Sequence, residues 1–238
     1  MKTEVRRIRG FTLVELLVSL GVVAVLVTLI LGGLKTVRSS ASGAKCLSNL
    51  RQIGSGTMSY LAERNGVLFP GKFFFTASFE TDGGMRDYVG YDFSERTSQA
   101  PSSVYADTIF TCPELKSQTR EKFQSPMLFN RTYTMNEYAM AAEDGVVKSA
   151  TTHPGRTSRI PSLSRMMLIM DGSATVGSTS FHTVMNPSFV TRNFVFYPHN
   201  KGQNVLFFDG HVARLTEEEI RKPSNPRSFW GKLDMPES

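Results

Sequence analysis

Cysteine is scarce in this 238-residue chain, which has only Cys46 and Cys112, and histidine is held to four: His153, His182, His199 and His211. Two cysteines exclude a disulfide-built scaffold, and no CxxC pair is present for thiol exchange or a zinc ribbon. The histidines contain no HExxH pair. Also missing are a GxSxG nucleophile elbow, a glycine-rich loop ending in Lys-Ser/Thr to cradle phosphate, and a carboxylate pair on a recognisable helix. Scattered Ser and His are normal content at this length, so the chain does not read as an enzyme. No internal repeat is present, which excludes solenoids and propellers.

The net charge of +6 invites a nucleic-acid reading until its location is considered. Lys2, Arg6, Arg7 and Arg9, against Glu4 alone, place half of the excess in the first ten residues. The remainder is spread out, with no Lys/Arg stripe interleaved with aromatics, so nucleic acid is not an expected partner. Hydrophobic residues at 40% suit a real core, in one domain with an appendage or in two small domains.

Residues 11–34 read FTLVELLVSLGVVAVLVTLILGGL, with Glu15 as the only charge. At 1.5 Å per residue this makes about 36 Å of helix, enough to cross a bilayer. The run exceeds the apolar stretch of a cleavable secretory signal, and it has no polar side to show water as a surface helix would. The reading is therefore a membrane anchor. Basic residues flank it on both sides, Lys35, Arg38, Lys45 and Arg51 following the span, so charge alone does not set its orientation.

The junction does. A basic leader ending in Gly10, followed by Phe11-Thr12-Leu13-Val14-Glu15, closely resembles the type IV prepilin signal. The resemblance implies that a prepilin peptidase cuts after Gly10 on the cytoplasmic face and methylates the new N-terminal residue, Phe11. A carboxylate one turn into an apolar span costs about 3 kcal/mol unless partnered. The family resemblance pairs Glu15 with the Phe11 amine of a neighbouring subunit during filament assembly; the plainer alternative is that Glu15 snorkels to the headgroups.

Beyond the span, residues 44–62 carry Leu47, Leu50, Ile53, Met58 and Leu61 at helical spacing. The pattern predicts one helix over 11–65, with 11–34 in the membrane, the Gly32-Gly33 pair loosening it, 35–65 laying an apolar stripe on a sheet, and Asn65-Gly66 ending it. Residues 66–238 read as a β-rich exported domain, with strands over 104–110, 132–135, 166–170, 189–196, 205–208 and 211–215. Asp209-Gly210 between the last two predicts a two-residue type I′ hairpin. Thr216 with Glu219 forms a capping-box pattern that starts a short helix, and Pro223 stops it. The fold class is α+β, a long N-terminal helix packed on a small antiparallel sheet, and it is similar to the pilin architecture.

A second resemblance lies at the C-terminal end. His199, nine intervening residues, then Asp209-Gly210 matches an H-x9-DG signature of prepilin-like proteins, and the segment from Cys46 to Gly54, Phe110 to Pro113 and Tyr133 to Asn136 extends the likeness. Two readings stand: Asp209-Gly210 makes a turn while His199 satisfies a nearby hydrogen bond, or the residues hold a cation. Some pseudopilins bind calcium in a C-terminal loop, and Asp171 and Asp209 are the oxygen ligands available, although no calcium-like spacing is present. Zinc on His199, His211 and Asp209 requires three residues to converge that the pattern does not bring together. No cofactor is otherwise implied. Cys46 and Cys112 either pair on the exported side, pinning helix to domain, or remain two buried thiols.

The resemblance thus implies a pseudopilin of a type II secretion system: a single-pass inner-membrane protein with a periplasmic domain. Its expected partners are prepilin peptidase, other pilin-like subunits, the secretion assembly platform and the membrane. A surface filament subunit for adhesion, motility or DNA uptake, and an exported enzyme or binding module on an uncleaved anchor, are the alternatives.

Overall fold

The computed structural model describes residues 12–68, 88–89, 109–115, 132–138, 156–160, 162–172, 184–185, 187–191 and 196–231. The chain divides into two compact units, Met1–Ala41 and Ser42–Ser238, and helix α1 is assigned over Leu13–Glu63. The loosening expected at Gly32-Gly33 does not occur. Each of the two glycines costs a helix about 1 kcal/mol relative to Ala, about 2 kcal/mol for the pair, too little to interrupt a helix of 51 residues.

In the first unit, the large apolar side chains from Leu13 to Ile30 are exposed, and the window Leu13–Ile30 is long and apolar enough to cross a membrane. It fits the single-pass inner-membrane anchor of prepilin-like proteins.

The second unit is α+β. Its sheet contains β1 (Tyr133–Asn136), β2 (Met167–Asp171), β3 (Val184–Met185), β4 (Gly202–Phe207) and β5 (Val212–Thr216), in the order β3-β1-β2-β4-β5. Four strands are antiparallel neighbours, and the two-residue β3 adds a parallel edge beside β1. Strands β2 and β4 are buried along their whole length because both faces of the sheet are covered, so neither alternates apolar with polar.

One face packs against Cys46, Leu50, Ile53 and Leu61 of α1, which meet Tyr133, Met135, Leu168, Leu206 and Phe208. Each buried aliphatic side chain contributes about 1.5 to 3 kcal/mol. Cys46, Asn49 and Gly54 occupy this face and Leu47 is only half-buried, so the helix turns slightly from the stripe expected. Gly54 lets Leu206 approach closely: a Cβ there would lie 2.7 Å from its Cδ1. As expected, α1 stops before Asn65 and Gly66, both in the left-handed region, and the Gly66 N–H donates to Leu61 O at 2.8 Å.

The other face carries Met167, Met170, Val205 and Phe207, covered by Val190, Ile220, Phe229 and Trp230. Those residues come from α2 (Pro187–Thr191), α3 (Glu217–Arg221) and α4 (Pro226–Trp230). The capping box of α3 is complete: the Glu219 N–H donates to Thr216 Oγ1, and the Glu219 carboxylate accepts from Thr216 N–H.

Three expectations need correction. The strand expected over 189–196 begins as α2, started by Pro187 at its first position, where the ring's fixed φ suits a helix; 192–195 lie outside the described residues. Of the strand over 104–110, residues 104–108 lie outside the described residues, and Ile109 and Phe110 form a turn. Around Asp209-Gly210 only Gly210 has positive φ, while the Gly210 N–H donates to Phe207 O and the Phe207 N–H to His211 O. This is a three-residue loop with glycine at the bulge. Type I′ geometry occurs instead at Asn200-Lys201, φ 49° and 62°, where His199 and Gly202 exchange both backbone hydrogen bonds.

Candidate functional site

At the N-terminus, Gly10 and Phe11 lie outside the described residues. Thr12 sits just ahead of α1 and its carbonyl accepts the first helical hydrogen bond, from Leu16 N–H at 3.2 Å. Its N–H and Oγ1 donate to Glu15 Oε2 at 2.9 and 2.8 Å, and the Glu15 N–H donates back to Thr12 Oγ1 at 3.3 Å. Glu15 is therefore the third-position partner of a capping box as well as a charge in the span. The T-x-x-E spacing of Thr12 to Glu15 carried that signal in the sequence; reading Glu15 for its charge alone missed it.

The second unit holds a buried polar cluster at the end of the sheet nearest the Asn200-Lys201 turn. The turn, fixed by Gly202, presents His199, which is 6% exposed. A side chain at Gly202 would put its Cβ 2.5 Å from Leu215 O, so no larger residue fits without moving β5. His199 Nε2 lies 3.1 Å from Asp171 Oδ2 and 3.7 Å from Cys112 Sγ. Asp171, fully buried at the end of β2, also accepts the Asn204 N–H at 2.7 Å, while its Oδ1 has no hydrogen-bond partner among the described residues.

Cys46 and Cys112, 66 residues apart, are joined by a disulfide with a Cα–Cα distance of 4.7 Å. Around it Tyr133 Oη donates to Cys46 O at 3.0 Å, Asn49 Nδ2 to Thr111 O at 3.1 Å, and Cys112 N–H to Thr132 Oγ1 at 2.6 Å. Burial first, and the neighbouring Asp171 charge second, push the Tyr133 hydroxyl well above its ordinary pKa, so it stays a donor. The disulfide and these bonds tie the second half of α1 to the segment before β1.

The three residues His199, Asp209 and Gly210, singled out in the sequence, bracket one strand. His199 precedes β4, Asp209-Gly210 follows it, and the six residues of β4 span about 20 Å between them at 3.4 Å per residue. Asp209 is bonded locally, its Oδ1 2.5 Å from His211 Nδ1. The structure therefore does not bring Asp171 to Asp209 for calcium, nor His199 to His211 and Asp209 for zinc. It brings His199 to Asp171 and Cys112, a grouping that the sequence did not signal because its members come from three distant elements. His153 and His182 lie outside the described residues.

Compared with known proteins, residues 5–31 match the family model described as the prokaryotic N-terminal methylation motif, which is prepilin-type. No curated protein and no solved structure matches the chain. The matched segment covers the second half of the basic leader, with Arg6, Arg7, Arg9 and Gly10, then Phe11, Glu15 and most of the apolar span.

Proposed function

We propose that this chain is a pseudopilin: cleaved after Gly10 by prepilin peptidase, methylated on Phe11, held in the inner membrane by residues 11–34, and assembled through that helix into a periplasmic filament driving type II secretion. The reading rests on one observation, the coincidence of the methylation motif at residues 5–31 with a helix whose apolar side chains from Leu13 to Ile30 are exposed. A helix apolar on all sides needs lipid or sister helices, and small-residue or aliphatic packing between such helices is how membrane spans associate. The chemistry is assembly, which agrees with the absence of a catalytic motif from the sequence.

Glu15 sets the register in this scheme. Cleavage at Gly10 creates an ammonium at Phe11, which methylation leaves charged. A carboxylate and an ammonium both held in lipid stabilise each other far more than either is stabilised alone. In the single chain Thr12 satisfies Glu15; in a filament the carboxylate exchanges that local partner for the amine of its neighbour.

The test is intact mass and N-terminal sequencing of the membrane-extracted chain, with Gly10→Ala and Glu15→Val alongside wild type. The expected result is a mature chain beginning at N-methyl-Phe11, uncut Gly10→Ala, and Glu15→Val that is cut but fails to assemble. Retention of residues 1–10 by wild type in the presence of the peptidase overturns the reading. Deleting the chain separates the secretion role from a surface filament: exoproteins should accumulate in the periplasm, whereas loss of surface fibres with normal secretion would favour the pilus alternative.

A further inference from the structure

The sulfurs of Cys46 and Cys112 and Nε2 of His199 all lie within 4.8 Å of one another, and all three residues are buried. His199 Nε2 is aimed into this group, 3.7 Å from Cys112 Sγ, with Asp171 Oδ2 3.1 Å away on the same nitrogen. The Leu115 N–H donates to Cys112 Sγ at 3.5 Å, the kind of contact that favours a thiolate. Asp171 Oδ1 is fully buried and unpartnered among the described residues, which is costly for a carboxylate unless something else occupies the site.

We propose that the dithiol form of this cluster is a zinc site, with Cys46 Sγ, Cys112 Sγ and His199 Nε2 as ligands and the Asp171 carboxylate as the fourth donor. A tetrahedral zinc with Zn–S near 2.3 Å and Zn–N or Zn–O near 2.0 Å separates its ligands by about 3.3 to 3.8 Å. The His199 to Cys112 and His199 to Asp171 distances are already close to that. The two sulfurs must part, from a bond to non-bonded contact, and the Asp171 carboxylate, which lies beside His199 but outside the close group of the three other donors, must turn toward them. A Cα–Cα distance of 4.7 Å lets side-chain rotation separate the sulfurs.

The donor set is the soft, mixed thiolate and imidazole type that selects zinc over calcium or magnesium. Binding displaces one proton from each thiol and leaves two thiolates and a neutral imidazole on the ion. The disulfide and the metal use the same two sulfurs, so each state excludes the other. A newly made chain is a dithiol, which makes the zinc form available before the disulfide closes. This site is independent of the filament reading, and either stands without the other.

The experiment uses the full chain in detergent, reduced with a phosphine and kept anaerobic, titrated with zinc against a chromophoric chelator and separately with cobalt. The expected result is one equivalent bound with release of two protons, and a cobalt spectrum with thiolate charge-transfer and tetrahedral ligand-field bands. His199→Ala and Asp171→Asn should each weaken binding at least about 10-fold, while still forming the Cys46–Cys112 disulfide on oxidation, which shows that they fold. Oxidised wild type should bind nothing. If reduced wild type takes up no more zinc than the Cys46→Ser/Cys112→Ser variant, or if either substitution leaves affinity unchanged, the assignment is overturned.

Discussion

His199 reaches across the sheet to Asp171 with an Nε2 to Oδ2 distance of 3.1 Å, 28 residues away in sequence and with both side chains all but excluded from solvent. A carboxylate so placed depends on its partners: removing one partner of a buried pair leaves an uncompensated group, at a cost of about 3 to 5 kcal/mol for a fully ionic pair.

His199→Ala should therefore destabilise the oxidised chain by about 3 kcal/mol, read from the urea midpoint. The Asn204 N–H still serves Asp171 Oδ2 in that variant. Asp171→Asn keeps the shape and removes the charge, so the double variant should lose less than the two singles combined, with a coupling of about 1 to 3 kcal/mol. Strict additivity would mean that the two side chains do not interact.

The His199–Asp171 pair was invisible in the sequence, and the reason is physical. Its residues belong to different strands and loops, and their meeting is decided by sheet order and register. What was legible is local: the apolar span, the periodic face of Leu50, Ile53 and Leu61, the stop at Asn65-Gly66, and the Thr216 to Glu219 cap, each set by residues within a turn or two. Helix α4 could have been read the same way, since Asn225 Oδ1 accepts the Ser228 N–H at 2.8 Å and Pro226 opens the helix. The short edge strand β3 could not, because two residues carry no period. The His199 turn was hidden for another reason: Asn-Lys is a weaker type I′ signal than Asp-Gly, and the stronger dipeptide drew the type I′ geometry to the other end of β4, where the expected β4–β5 hairpin is present but turns through a three-residue loop.

The disulfide closes a loop of 66 residues. By the chain-entropy account, opening it frees the unfolded state by about 4 kcal/mol. Cys46→Ser with Cys112→Ser should lower the urea midpoint accordingly, with little change in the denaturant slope of the folded baseline. Reductant should lower the wild-type midpoint by the same amount and leave the double variant untouched. Equal midpoints for wild type with and without reductant would show that the bond does not form.

Gly202 is the hinge on which His199 depends. Its N–H and O both bond to His199, and an added Cβ would meet a backbone carbonyl, Leu215 O, at 2.5 Å, which has no rotamer to escape into. Gly202→Ala should cost about 2 kcal/mol by overpacking. It should also disturb His199: the imidazole resonances should shift and the coupling to Asp171 fall. A variant with wild-type stability and unmoved His199 signals would refute the tight approach of β4 to β5.

Two carboxylates outside the membrane span tie stability to pH. Hydrogen bonds from the Thr216 N–H and hydroxyl hold Glu219 below its ordinary pKa. For Asp209, burial pushes the value up, but the ring and backbone N–H of His211 outweigh it and the net shift is downward. A carboxyl whose folded pKa is depressed stabilises the fold above its unfolded pKa and loses that contribution as pH falls through the folded value. Both the α3 cap and the β4–β5 loop should therefore hold at neutral pH and loosen from about pH 4 downward. Carbon-detected NMR titration of the carboxyl groups should give midpoints below the ordinary range for both. Thr216→Val removes the hydroxyl but keeps the N–H, the larger cause, so it should move the Glu219 midpoint part of the way toward normal and leave Asp209 where it was, because the two lie at opposite ends of β5. A Glu219 midpoint that ignores Thr216→Val would mean that the Thr216 hydroxyl makes no bond to the Glu219 carboxylate in solution.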